Sequence, residues 1–69
     1  MNKQLFKSLM VLNGDTNASL AEFLGISVQS VCNKINEKNG QEWKQGEMLM
    51  IKKRWNLSGE MVDRVFFQD

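Results

Sequence analysis

Side chains able to serve as nucleophile, base or metal ligand are few in this 69-residue chain. It has one Cys, Cys32, no His, and eight Asp plus Glu against nine Lys plus Arg. The commonest general base and metal ligand is therefore missing. No glycine-rich phosphate loop, nucleophile elbow or paired metal-ligand spacing appears. No base or cation pattern around Cys32 marks a reactive thiol, so it reads as a packing residue. So short a chain also has difficulty enclosing a ligand-sized pocket. An enzyme is not expected, and neither is a cofactor, a metal or a small-molecule substrate.

The chemistry that remains is recognition, and Asn17 to Asn36 is the informative stretch. Ala21 is small where two helices would cross most closely. Gly25 accepts a positive φ that strains most residues. Val31 anchors the following helix and leaves its other side free. A short helix braced in this way can enter the major groove of DNA, which admits one α-helix. Val28, Val31, Cys32 and Ile35 follow i, i+3, i+4, i+7 spacing, a core stripe. Gln29 and Asn33 lie on the polar side. Val28 sits at the border, where periodicity fits either a buried or an exposed side chain.

These residues must be positioned by a single small domain spanning residues 1–69, with no linker, repeat or low-complexity tract. Its core is thin, and neither an internal disulfide nor a zinc site can staple it. The first helix is expected over residues 2–12, with Leu5, Leu9 and Leu12 on one stripe beside Phe6 and Met10. Asn13-Gly14 stops it. A second helix follows the N-cap Thr16 and runs to Leu24, where Gly25 ends it. Ser27 caps a third helix, from Val28 to about Lys38, with Ile26 and Val31 forming a hydrophobic staple. Only Gly25-Ile26-Ser27 separates the second helix from the third, which leaves no room for an antiparallel hairpin and implies a steep crossing. Trp43 plugs the core from a loop. A fourth helix covers roughly 45–55 with Met48, Ile51 and Trp55 inward, and Ser58 caps a fifth, stapled by Leu57 and Val62. With no period-two alternation, the fold is read as all-α, a compact bundle of about five short helices containing a helix-turn-helix.

The run Thr16-Asn17-Ala18-Ser19-Leu20-Ala21-Glu22-Phe23-Leu24-Gly25-Ile26-Ser27 resembles the helix-turn-helix signature of the phage lambda-type repressor and Cro family. Val31-Cys32-Asn33-Lys34-Ile35-Asn36, and the section from Trp43 to Phe67, are similar to small phage-encoded Cro-like regulators of that family. The resemblance covers residues 5–67. It departs at Lys44, where the family has Thr or Ser as N-cap of the fourth helix, and at Asn17, where a longer Gln is common. The resemblance implies a lambda repressor-like DNA-binding domain and a regulator that represses transcription by occupying a double-stranded operator, without further catalysis. It also implies that Val28, Gln29 and Asn33 meet the bases, where amides can donate to and accept from adenine and a Val methyl can pack on a thymine methyl. Asn17, Ser27, Ser30, Lys34, Asn36 and Lys38 would contact phosphates. A homodimer on two half-sites is the expected mode. The rival expectation is a helix-turn-helix scaffold that binds another regulator, as an antirepressor or antitoxin would.

Net charge is only +1, which on its face argues against nucleic acid. Its distribution softens that objection. Residues 1–26 sum to zero, residues 27–54 to +3 and residues 55–69 to −2. The cluster Lys52-Lys53-Arg54 has two readings, neutralising a helix C-terminus or reaching a flanking phosphate. Phe66-Phe67 likewise either packs on Leu5, Phe6 and Leu9 or forms a dimer seam. No apolar run is long enough to span a bilayer and no signal peptide opens the chain, so no membrane partner is expected. One unpaired Cys fits a reducing cytoplasm, and the resemblance implies that of a bacterial host.

Overall fold

A computed structural model describes residues 1–68; Asp69, the last residue of the expected domain and part of its acidic tail, lies outside the described residues. Four of the five helices begin where a short polar side chain can replace a missing backbone partner. Asn2 accepts from the Leu5 N–H and opens α1, Lys3–Leu12. Thr16 accepts from the Ser19 N–H at 3.1 Å while Ser19 Oγ accepts from the Thr16 N–H at 2.9 Å, a reciprocal box that opens α2, Asn17–Leu24. Ser27 opens α3, Val28–Asn36, and Ser58 opens α5, Gly59–Phe66, each by accepting the N–H three residues on. Between them α4, Gln45–Arg54, starts at Lys44, which supplies no capping oxygen. Glu47 substitutes by accepting the Lys44 N–H at 2.9 Å. The described residues are thus all-helical, with five α-helices and one 3-10 turn, Lys38–Gly40.

Two expectations about elements are corrected. The third helix ends at Asn36 rather than near Lys38, because Glu37 turns left-handed at φ 54° and donates its N–H to the Asn33 and Lys34 carbonyls. On α1 the buried side chains are Phe6 and Met10, with Leu5 and Leu9 half-buried, whereas Leu12 is 80% exposed. The core therefore lies one position round the helix from the Leu5-Leu9-Leu12 stripe, and the aromatic ring occupies its centre.

That centre is Phe6, fully buried. It stacks on Trp43 with ring centroids 5.2 Å apart and meets Trp55 at 5.2 Å and Phe66 edge-on at 6.0 Å. Offset and edge contacts of this kind add to area burial. Leu20, Val31, Ile51 and Val65 complete the buried layer, so every α-helix contributes to one core. The staple residues Ile26, Leu57 and Val62 pack against it. Phe66 is buried against Phe6, as its core reading has it, and Phe67 is 66% exposed. The chain closes on itself where the Asn2 N–H donates to the Val65 carbonyl at 2.8 Å. No helix among the described residues is long and apolar enough to cross a membrane.

Candidate nucleic-acid interface

The candidate surface is the outer side of α3 and the turn that precedes it. Gly25 stands at φ 72°, in the left-handed region where a side chain is strained. The Ile26 N–H then donates to the Ala21 carbonyl at 3.0 Å, closing the end of α2. Leu20 and Ala21 of α2 and Val31 and Ile35 of α3 face inward, so three residues suffice to join the two helices.

With Val31 and Ile35 inward, helical phase decides what the rest of α3 presents. Ser27, Val28 and Gln29 are exposed, Val28 by 49%, which settles the border reading for Val28 in favour of solvent. Ser30 is half-buried, and its N–H and Oγ both engage Ser27 Oγ, which donates its own proton to Ser30 Oγ. Asn17, the first residue of α2, is half-buried, and Lys38 is exposed on the 3-10 turn. Asn36 is partly committed within the fold. Its Nδ2 donates to the Cys32 carbonyl, and its Oδ1 accepts from Lys3 Nζ at 2.9 Å.

Two of the expected contact residues are buried and already have partners within the protein. Lys34 is only 7% exposed; its ammonium donates to the Glu42 carbonyl at 3.1 Å and to Glu47 Oε1 at 3.0 Å, and lies over the Trp43 ring. The expected phosphate contact at Lys34 is corrected accordingly, since that ammonium is committed to the α3–α4 junction. Lys34 follows Val31 by three residues and so shares its face. Asn33 is 9% exposed, and its Oδ1 accepts from Gln29 Nε2 at 3.0 Å. It lies one turn along the same face of α3 as Gln29, and the amide oxygen expected to meet a base is engaged by that residue instead.

A second polar centre was not foreseen. Asp15, 8% exposed, accepts from Arg54 Nε and Nη2 at 2.9 and 2.8 Å, from Trp55 Nε1 at 2.6 Å and from Ser19 Oγ at 2.8 Å. The Arg54 guanidinium holds the carboxyl far below its ordinary range against the opposing effect of burial, and the Trp55 and Ser19 bonds add to the lowering. Asp15 in turn raises the Arg54 pKa. Arg54 also covers the Phe23 ring with 4.5 Å between guanidinium carbon and centroid. Lys52, Lys53 and Arg54 do lie in the last turn of α4, and Arg54 serves in addition as a clamp between α4 and the α1–α2 loop. A lone Asp after Asn13-Gly14 gives no local hint of a partner 39 residues away.

Among the described residues, no group of three or more Cys, Asp or Glu side chains is placed to hold a metal ion. No family model matches this chain, and neither does any curated protein or solved structure.

Proposed function

We propose that the protein is a sequence-specific double-stranded DNA-binding regulator, a Cro-like repressor that acts by occupying an operator in the cytoplasm. The observation that carries this reading is the exposed pair Val28 and Gln29 at the start of α3, on a short helix whose opposite side is anchored by Val31 and Ile35. With α3 in the major groove, Val28 offers a methyl to thymine and Gln29 a donor and an acceptor to a base edge. Asn17, Ser27, Ser30, Asn36 and Lys38 are the candidate phosphate contacts, holding register without reading sequence. So few contacts, only one of them cationic, make for a weak monomer. A homodimer on half-sites about one helical turn apart, ~34–36 Å, supplies the remaining affinity. Selection from random duplex DNA tests the reading. A palindromic consensus supports it, and binding with no preference over random duplex overturns it.

A second reading has its own observation. Val11, Leu12, Leu49 and Phe67 are large apolar residues at least half exposed, and exposed apolar surface marks interaction sites when it is contiguous. On this reading the helices are a scaffold for capturing another regulator. A stoichiometric protein complex formed without DNA, together with failure of operator selection, would favour it.

A further inference from the structure

We infer that Asn33 sets which purine Gln29 accepts, by consuming one of the two amide protons that Gln29 would otherwise present. This inference rests on the DNA-binding reading above and deepens it. A glutamine amide carries two N–H donors and a carbonyl acceptor. Here Gln29 Nε2 donates one of them to Asn33 Oδ1 at 3.0 Å, and Asn33 is buried to 9% exposure. Gln29 itself is exposed, at the start of α3 beside Val28. What it has left for a partner is one N–H and the carbonyl oxygen.

That remainder is chemically selective. Adenine shows an acceptor, N7, and a donor, the N6 amino group, in the major groove; guanine shows two acceptors, N7 and O6. One donor and one acceptor match adenine. Guanine would leave the Gln29 oxygen facing an acceptor, with one proton to share between two. An unrestrained glutamine keeps both protons and can turn its NH2 toward guanine, so its discrimination is weaker. Asn33 is therefore a positioning residue, acting on the base through Gln29 and touching no DNA itself.

The spacing makes the arrangement possible. Gln29 and Asn33 are four residues apart, one turn along the same helix, where side chains meet. Asn33 in turn is held between Cys32 and Lys34 on a segment whose Val31 and Ile35 are locked in the core. Gln29 thus needs no second support from another element.

The test compares affinities of the full chain for the selected operator and for the same duplex with the Gln29-contacted adenine replaced by guanine. Wild type should prefer adenine about tenfold or more, within the range a bidentate base contact supplies. Asn33→Ala should reduce that ratio several-fold, chiefly by improving guanine binding relative to adenine. Asn33→Asp retains an acceptor for the Gln29 proton and should preserve the ratio, even though its charge weakens binding to both duplexes. Because the readout is a ratio on two DNAs, a loss of folded protein scales both affinities together and leaves it unchanged. Should Asn33→Ala not fold at all, Asn33→Ser provides the shorter side chain for the same comparison. A wild-type consensus without adenine at this position, or a ratio unchanged in Asn33→Ala (in Asn33→Ser where Asn33→Ala does not fold), overturns the inference while leaving the DNA-binding reading intact. Selection that returns no consensus overturns that reading first and this inference with it.

Discussion

Arg54 grips Asp15 with two parallel hydrogen bonds of 2.8 and 2.9 Å across 39 residues of sequence, and the Trp55 indole N–H closes on the same carboxylate. Removing the carboxylate leaves the indole N–H of a buried tryptophan without its acceptor. Asp15→Ala should cost about 2 kcal/mol in chemical denaturation, and Trp55→Phe, which deletes only the donor, about 1 kcal/mol. Asp15→Asn should fall between Asp15→Ala and wild type.

The same carboxylate contributes to acid stability. Its folded-state pKa is depressed, so between that value and the ordinary ~3.9 the unfolded chain binds the extra proton. The stability it contributes is fully present above about pH 4 and is lost as pH falls through the depressed folded value. Denaturation midpoints measured downward from pH 5 should decline in wild type. They should decline less in Asp15→Asn, which has no proton to gain there.

Lys34 and Lys38 should separate cleanly. Lys34→Ala removes the cation from a largely buried pair with Glu47 and should cost about 3 kcal/mol of stability. It should leave the salt slope of operator binding unchanged. Lys38→Ala should leave stability within about 0.5 kcal/mol and reduce the slope of log K against log salt by roughly 2 for the dimer, about 1 for each protomer's lost phosphate contact. Titrations at several salt concentrations with both variants check this.

Phe6 and Leu12 are near neighbours on α1 with opposite fates. Phe6→Ala opens the aromatic centre and should cost about 3–5 kcal/mol, most of the stability of so small a domain. Leu12→Gln, at a position 80% exposed, should change stability by less than about 0.5 kcal/mol. Thermal melts of both variants report the contrast directly.

Gly25→Ala introduces a side chain at φ 72° and should cost about 1–2 kcal/mol, a drop of roughly 4–16 °C in Tm for a chain this size. Calorimetry of the variant measures that drop.

Local signals in the sequence proved readable because their causes are local. Thr16, Ser27 and Ser58 bond to N–H groups three residues away, and Gly25 ends α2 by its own backbone freedom. Trp43 plugs the core from its loop as its size suggests. What escaped the sequence are relationships between distant residues. Nothing near Asp15 announces Arg54, and nothing near Lys34 announces Glu47. Leu5, Leu9 and Leu12 fit a helical stripe as well as Phe6 and Met10 do; only the aromatic partners from the Trp43 loop, the end of α4 and α5 decide which stripe is buried. Within the candidate interface, Val28 and Gln29 lie on the surface, whereas Lys34 is buried beside Val31 and Asn33 is buried on the Gln29 side of α3, hydrogen-bonded to that amide.

The Asn2 to Val65 hydrogen bond, with Phe6 resting on Phe66 behind it, also bears on how the chain is made. During synthesis α1 emerges before α5 and has no complete seat until α5 follows. α2 and α3, joined by three residues, can pair early at little loop-closure cost, while α1 waits as an amphipathic helix with its aromatic ring uncovered. Docking of α5 onto α1 is what covers that ring. A nascent chain truncated before residue 65 should therefore remain open to proteolysis within α1.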